Sequence, residues 1–133
     1  MNGVFLDTVG LIAVWDATDQ WHAVAEEVFS RLLRDKIPLL TTSHVLMECG
    51  NAASRRPYRH RANALRLQLR ETGLLFDPTA EELESAWSAF DRGEAGGAGI
   101  VDQTSFAVMR RFGIVRAFTN DEHYRAAGFE TLF

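Results

Sequence analysis

Four acidic residues stand alone among apolar neighbours rather than in runs of surface charge. Asp7 follows the apolar residues 4–6, and Glu48 lies in TTSHVLMECG. Asp102 lies in GIVDQTSFAVM, and Asp121 lies in AFTNDEHY. A carboxylate is costly to bury, so one that borders a hydrophobic run needs a partner or a function.

Each of these acids also has a purely structural explanation. Asp102 and Asp121 can cap helices, Glu48 can pair with an arginine, and Asp7 can form a turn with the backbone of Thr8.

If the four acids lie close together in the fold, a structural role no longer explains them. Two carboxylates about 4 Å apart repel by roughly 4 kcal/mol at an effective dielectric near 20. Protons or cations must then neutralise them. An all-oxygen cluster without His or Cys favours Mg²⁺ or Mn²⁺, which suits metal-assisted hydrolysis of phosphodiester bonds.

The elements around these acids predict that they do meet. Short apolar segments predict strands at residues 4–6, 37–41, 74–76, 114–118 and 130–132. Amphipathic segments between them predict helices, with Ser43 as one N-cap, Gly73 as a stop signal and a capping box at Thr79 and Glu82. This alternation favours an α/β fold with a parallel sheet covered on both faces. In such sheets the functional cleft lies beyond the carboxyl ends of the strands, where Asp7 and Asp121 fall.

Composition favours one soluble domain over residues 1–133. The chain is 47% hydrophobic and 24% charged, which is typical of a globular protein. Its apolar runs are shorter than the roughly 20 residues that span a bilayer, and its N-terminus lacks the basic region of a signal peptide. A single cysteine, Cys49, rules out an internal disulfide. We therefore expect a cytoplasmic protein with no membrane partner.

Positive charge is concentrated in one segment. Residues 51–70 contain no Asp or Glu, whereas the rest of the chain has 18 acidic residues against 8 basic ones. A basic segment on an acidic body indicates a polyanion-binding edge, although a solvated helix face explains it as well. The segment holds six arginines: Arg55, Arg56, Arg59, Arg61, Arg66 and Arg70.

The motifs resemble a known family. FLDT near the start, TTSHVLMECGNA, IVDQTSFAVM and AFTNDEHYRAAGF are similar, in order and spacing, to PIN-domain ribonucleases, especially VapC-type toxins of toxin–antitoxin pairs. The resemblance covers nearly the whole chain. It implies a three-layer α/β/α sandwich with a mostly parallel sheet and an endoribonuclease dependent on Mg²⁺ or Mn²⁺. It also implies a homodimer, inhibition by a small antitoxin, and RNA hydrolysis by metal-activated water that leaves 5′-phosphate and 3′-hydroxyl ends.

The resemblance also assigns residues to the site. It makes the four acids metal ligands, directly or through water, and makes Thr8 and Ser105 the hydroxyls that orient ligands or water. Asn120 is an alternative to Asp121 in a shifted register. The loop GEAGGAG departs from the family pattern, so Asp91 or Glu94 is a further candidate ligand. The resulting set is Asp7, Glu48, Asp102 and Asp121 as ligands, Thr8, Ser105 and Asn120 in support, and Arg55, Arg56, Arg59 and Arg61 for RNA or the antitoxin.

Two other functions compete with this interpretation. A haloacid-dehalogenase-like phosphatase also places an Asp after its first strand, but Val9 stands where that family has a second acid, and Lys36 is the only lysine. A catalytically idle PIN-like module that binds RNA or protein is the other alternative, and the presence of all four acids argues against it.

The aromatic and histidine residues are interpreted as structural. Trp15, Trp21 and Trp87 are predicted to face the core and to pack rather than stack on bases. His123 is predicted to pack or cap, and Cys49 to be a small buried apolar group.

Overall fold

Five short strands form one sheet in the computed structural model, which describes residues 2–133. Their order across the sheet is β3-β2-β1-β4-β5, and all four pairings between them are parallel. The predicted α/β architecture is confirmed, and the part of the sheet described is parallel throughout. The strands are β1 Val4–Leu6, β2 Leu39–Thr42, β3 Leu75–Phe76, β4 Arg116–Phe118 and β5 Glu130–Thr131.

Eight helices within residues 2–133 flank the sheet. The central strand β1 is completely buried, as expected for a parallel strand covered on both faces. The helices are α1 Thr8–Trp15, α2 His22–Arg34, α3 Ser43–Ala53, α4 His60–Thr72, α5 Ala80–Asp91, α6 Glu94–Gly97, α7 Ile100–Arg111 and α8 Glu122–Ala126.

The predicted start of α5 and the predicted end of α4 are confirmed by their capping interactions. Thr79 and Glu82 form the capping box of α5, and Gly73 ends α4 with a φ of 76°. The predicted cap at Ser43 is wrong by one residue, because the Thr42 hydroxyl accepts the hydrogen bond from the Val45 N–H at 3.1 Å. Asp102 is not an N-cap either, since Gly99 occupies that position and Asp102 lies in the first turn of α7.

The strand order creates a crevice between β1 and β4. The chain adds β2 and β3 on one side of β1 and then returns to add β4 on the other, so neighbouring connections diverge at this point. The register pairs Leu6 with Phe118, so the residues that follow, Asp7 and Thr119, lie side by side. The segment that carries Asp121 therefore begins beside Asp7.

Gly10 allows α1 to lie directly against the end of β4. A Cβ atom at this position would be 2.1 Å from the carbonyl oxygen of Phe118, closer than atoms can pack. The start of α1 is therefore fixed against β4, together with the residues at its N-terminus.

Two of the three tryptophans do not face the core as predicted. Trp21 is 45% exposed, and Trp87 is 49% exposed. On α5 it is Ala86 that turns inward, while Trp87 lies on the outer side with its ring edge-to-face against Phe90 at 5.6 Å. Trp15 is half-buried and packs against the core.

The glycine-rich loop GEAGGAG, residues 93–99, contains a short helical turn. Residues 94–97 form the short helix α6, within which Ala95 and Gly96 adopt left-handed backbone angles. The buried side chain of Gln103 donates a hydrogen bond to the Glu94 carbonyl at 3.0 Å and so ties this turn to α7. In residues 2–133 no helix is long and apolar enough to cross a membrane.

Candidate active site

Asp7 is the most deeply buried acid of the predicted set. It is 1% exposed and forms the N-cap of α1, directly beyond β1. One carboxylate oxygen, Oδ2, accepts a hydrogen bond from the Thr119 hydroxyl at 2.8 Å, and Oδ1 accepts one from the Tyr124 hydroxyl at 2.9 Å. Burial raises the pKa of Asp7 to about 6, although both hydrogen bonds favour its ionised form.

Glu48 reaches the same region from α3. Its Oε1 atom accepts a short hydrogen bond from the hydroxyl of Thr8, the residue after Asp7. The Thr8 hydroxyl therefore holds the Glu48 carboxylate in place. This contact joins the start of α1 to the middle of α3.

Asp102 lies in the first turn of α7 and is half-buried. Its pKa is raised to about 7, first by burial and then by the negative charges of Asp7, Asp121 and Glu48. Three carboxylates from three other parts of the chain are thus close enough to act on this one. The structure brings all four predicted acids to the crevice between β1 and β4.

Asp121 is the N-cap of the short helix α8, where its Oδ1 accepts a hydrogen bond from the His123 N–H at 2.9 Å. Its own N–H donates to the Thr119 hydroxyl at 3.1 Å. Since Thr119 also donates to Asp7, this hydroxyl connects two of the acids. Asn120, the alternative ligand, is half-buried on the same turn.

Thr119 and Tyr124 are site residues that the sequence reasoning missed. Both are fully buried, and both are hydrogen-bonded to Asp7. The signal was present, since the last motif contains a Thr two residues before Asp121 and an aromatic residue three after it. Burial and the nearby charges of Asp7 and Asp102 keep the pKa of Tyr124 well above its usual range, so the phenol remains a hydrogen-bond donor.

The other supporting residues are placed less directly. The Ser105 hydroxyl is buried and donates to the Val101 carbonyl at 2.9 Å within α7. Glu94 is exposed and pairs with Arg92 at 2.6 Å, and Asp91 is exposed at the end of α5. His123 holds α6 in place, with its Nδ1 atom 3.0 Å from the Ala95 carbonyl.

The chemistry of the donor set fits a hard divalent cation. The four candidate ligands are carboxylates, and their mutual repulsion, visible in the raised pKa of Asp102, is the effect that a cation would remove. Across residues 2–133, however, no three Asp, Glu, His or Cys side chains lie close enough together to hold a metal ion as they stand. Glu48 and Asp121 are instead engaged with Thr8 and with the His123 N–H. The four acids thus lie in one region, and some of their side chains would have to rotate away from their present partners to bind a metal.

The four arginines predicted to bind RNA or the antitoxin lie between α3 and α4 or in the first turn of α4, and all are exposed. Arg56 pairs with Asp16 at 2.9 Å, and Arg59 donates to the Ser54 carbonyl at 3.3 Å. The segment therefore forms an exposed positive surface that begins where α3, the helix of Glu48, ends.

A family model for the PIN domain matches residues 4–130, so the chain belongs to the PIN-domain family. The predicted family is confirmed, and with it the PIN-like fold.

Two proteins are similar to this chain, one in both sequence and structure and the other in structure. The 23S rRNA-specific endonuclease VapC20 of Mycobacterium tuberculosis is 36% identical over 128 residues, which cover 95% of each chain. The crystal structure of that protein, a Sarcin-Ricin loop cleaving toxin, matches with a TM-score of 0.77 and 35% identity over 96% of each chain. FitAcB from Neisseria gonorrhoeae has a TM-score of 0.60 at 15% identity, covering 98% of this chain and 96% of that one, so it shares the fold. The predictions of a PIN-domain ribonuclease and of toxin relatives are confirmed by these matches.

Proposed function

We propose that this protein is an endoribonuclease that uses Mg²⁺ or Mn²⁺ to cleave ribosomal RNA and acts as the toxin of a toxin–antitoxin pair. The observation that carries the proposal is the group of acids at the crevice between β1 and β4, where Thr119 and Tyr124 hold the buried Asp7 and Thr8 holds Glu48. The similarity to a 23S rRNA-specific endonuclease over 95% of the chain supports the choice of substrate. A cytoplasmic location, where ribosomes are, follows from that substrate.

We assign Asp7, Glu48, Asp102 and Asp121 to the metal. A divalent cation supplies a nucleophile at neutral pH and stabilises the charge that develops on the phosphate. The residues around the acids position them: Thr119 and Tyr124 hold Asp7, and Thr8 holds Glu48. The products are expected to carry 5′-phosphate and 3′-hydroxyl ends.

The basic segment completes the proposal by binding the RNA backbone. Arg55, Arg56, Arg59 and Arg61 are exposed, and each can contact a phosphate. Because the rest of the chain is acidic, this segment also defines the direction from which RNA approaches. The same surface is the one that we expect a small antitoxin to cover, and we expect the protein itself to be a homodimer.

The proposal is tested by incubating purified protein with ribosomal RNA and either Mg²⁺, Mn²⁺ or EDTA. We expect discrete cleavage with either metal, none in EDTA, and at least a hundredfold loss of rate in Asp7→Asn. The matched control is Asp35→Asn, which removes an exposed carboxylate at the end of α2 and should cleave like the wild type. Equal cleavage by Asp7→Asn, or full activity in EDTA, would contradict the mechanism.

A further inference from the structure

A cavity of about 320 Å³ lies where the far end of α1 meets the segment that joins α3 to α4. The helix α1 starts beside Asp7 and has eight residues, so its end lies about 12 Å along the helix axis from the acids. The residues that line the cavity include Trp15, Asp16, Arg56, Tyr58, His60 and Arg61.

Two aromatic rings form the walls of this cavity. The rings of Trp15 and Tyr58 have centroids 6.5 Å apart and planes inclined by 40°. Tyr58 is 8% exposed, and Trp15 packs against the core, so neither ring is free to move away. Rigid aromatic surfaces of this kind are what unpaired bases stack on in RNA-binding proteins.

Charged groups beside the rings are held in fixed positions. Arg56 donates to Asp16 at 2.9 Å, and its guanidinium carbon lies 5.7 Å from the centre of the Tyr58 ring. Asp16 also accepts hydrogen bonds from the N–H and the hydroxyl of Thr18, at 2.9 and 2.6 Å. The Tyr58 hydroxyl donates to Asp16 as well, at 3.4 Å, and the hydrogen bonds from Thr18 do most to lower the pKa of this carboxylate. His60 and Arg61 are exposed beside it.

We propose that this cavity binds one unpaired nucleobase of the RNA, which stacks on Trp15, the more exposed of the two rings, while the neighbouring phosphates contact Arg56 and Arg61. The inference rests on the proposed ribonuclease function and adds a binding site for a base about one helix length from the acids. Trp15 then has two roles, since it packs against the core on one side and presents its ring to RNA on the other.

The cavity combines aromatic and positively charged groups. The exposed guanidinium groups of Arg56 and Arg61 line it and can each contact a phosphate of an RNA backbone. The Trp15 ring beside them offers a flat apolar surface for the base between those phosphates, a partner that an acidic peptide would not supply. A nucleotide therefore matches both kinds of group.

Two decamers of equal charge separate base binding from backbone binding. Oligoadenylate and a fully abasic ribose-phosphate decamer are titrated in EDTA, which prevents cleavage, against the wild type, Trp15→Leu and Trp15→Phe. We expect Trp15→Leu to weaken oligoadenylate binding about tenfold, since stacking of one base contributes about that much or more. Binding of the abasic decamer should not change, and Trp15→Phe, which keeps an aromatic ring, should largely restore binding of oligoadenylate.

Trp21→Leu is the matched control, because it removes an exposed tryptophan at the start of α2 and should bind both decamers like the wild type. Thermal melting confirms that each variant is folded. Equal binding of oligoadenylate by Trp15→Leu and wild type would overturn the inference, as would equal weakening of both decamers. Cleavage of ribosomal RNA by the wild type in Mg²⁺ tests the proposed function separately, so the two failures are distinguishable.

Discussion

At the scale of single residues, the site is governed by the cost of burying Asp7 and Asp102 as carboxylates. The folded-state pKa values are about 6 and about 7, both above the value of 3.8 expected in an unfolded chain. The folded protein therefore binds more protons than the unfolded chain between about pH 4 and pH 7. The contribution of these two groups to stability is fully present below pH 3.8 and is lost as the pH rises through 6 and 7.

We therefore expect the metal-free protein to become less stable as the pH rises from 5 to 8. The loss in free energy of unfolding from these groups is on the order of 2–4 kcal/mol, less than the full linkage value because Asp102 is only half-buried. Urea denaturation in EDTA across this range measures it. The Asp7→Asn, Asp102→Asn double variant should have a flatter profile, and an equally steep decline in that variant would contradict the assignment.

Tyr124 provides a second residue-scale prediction, because it donates to a carboxylate that is otherwise short of solvation. Tyr124→Phe removes that donor and should lower the free energy of unfolding at pH 8 by about 1–3 kcal/mol. The pKa of Asp7 should rise further, so the pH of half-maximal cleavage should move upward. Thr104→Val, which removes a buried hydroxyl bound to the Val101 carbonyl, should leave that pH unchanged. A pH profile identical in Tyr124→Phe and wild type would exclude the role assigned to this phenol.

The four acids were predictable because carboxylates that stand alone among apolar neighbours are visible in the sequence. The partners of Asp7 were not, because they depend on which side chains the fold brings within 3 Å. Tyr124 is 117 residues away in the chain, and its hydroxyl could equally well have faced solvent. Exposure of Trp21 and Trp87 was mispredicted for a related reason, since an apolar residue near the edge of a helix face has no sequence signal that fixes its side.

At the scale of elements, Gly10 determines how closely α1 approaches β4. Gly10→Ala would place a Cβ atom 2.1 Å from the Phe118 carbonyl oxygen, so helix and strand must separate. We expect a loss of about 1–3 kcal/mol in the free energy of unfolding, measured by urea denaturation, and slower cleavage because Asp7 moves with the helix.

Gly50→Ala is the control for this prediction, since a Cβ atom at Gly50 in α3 would meet nothing within 4 Å. Alanine in a helix interior should instead stabilise the protein by about 0.5–1 kcal/mol. If Gly10→Ala were as stable as Gly50→Ala, the close packing of α1 on β4 would not be required.

The type of most elements followed from the hydrophobic pattern, but the helix α6, which lies in the predicted loop GEAGGAG, and several boundaries did not. The fourth strand was predicted to start at residue 114, yet the Ile114 N–H bonds back to the Met109 carbonyl and ends α7. The second strand was predicted from residue 37, whose N–H likewise bonds back to Leu32. In both cases a backbone N–H that the apolar pattern assigned to a strand instead bonds to the end of the preceding helix.

At the scale of the whole molecule, the separation of charge should control how RNA binds. Arg55→Ser with Arg61→Ser removes two exposed charges from the basic segment, whereas Arg31→Ser with Arg34→Ser removes two exposed charges from the end of α2. We expect only the first pair to weaken RNA binding and to reduce the slope of log affinity against log salt, by about 1.4 for two lost phosphate contacts. Filter binding at several salt concentrations measures both. Equal slopes for the two pairs would mean that RNA does not approach along the basic segment.

Binding of a divalent cation by the four gathered acids is tested most directly by Mn²⁺ titration followed by electron paramagnetic resonance at pH 8. We expect saturable binding by the wild type and by Asp35→Asn, with affinity at least tenfold weaker in Asp7→Asn, Glu48→Gln, Asp102→Asn and Asp121→Asn. Undiminished Mn²⁺ binding in all four variants would contradict the account.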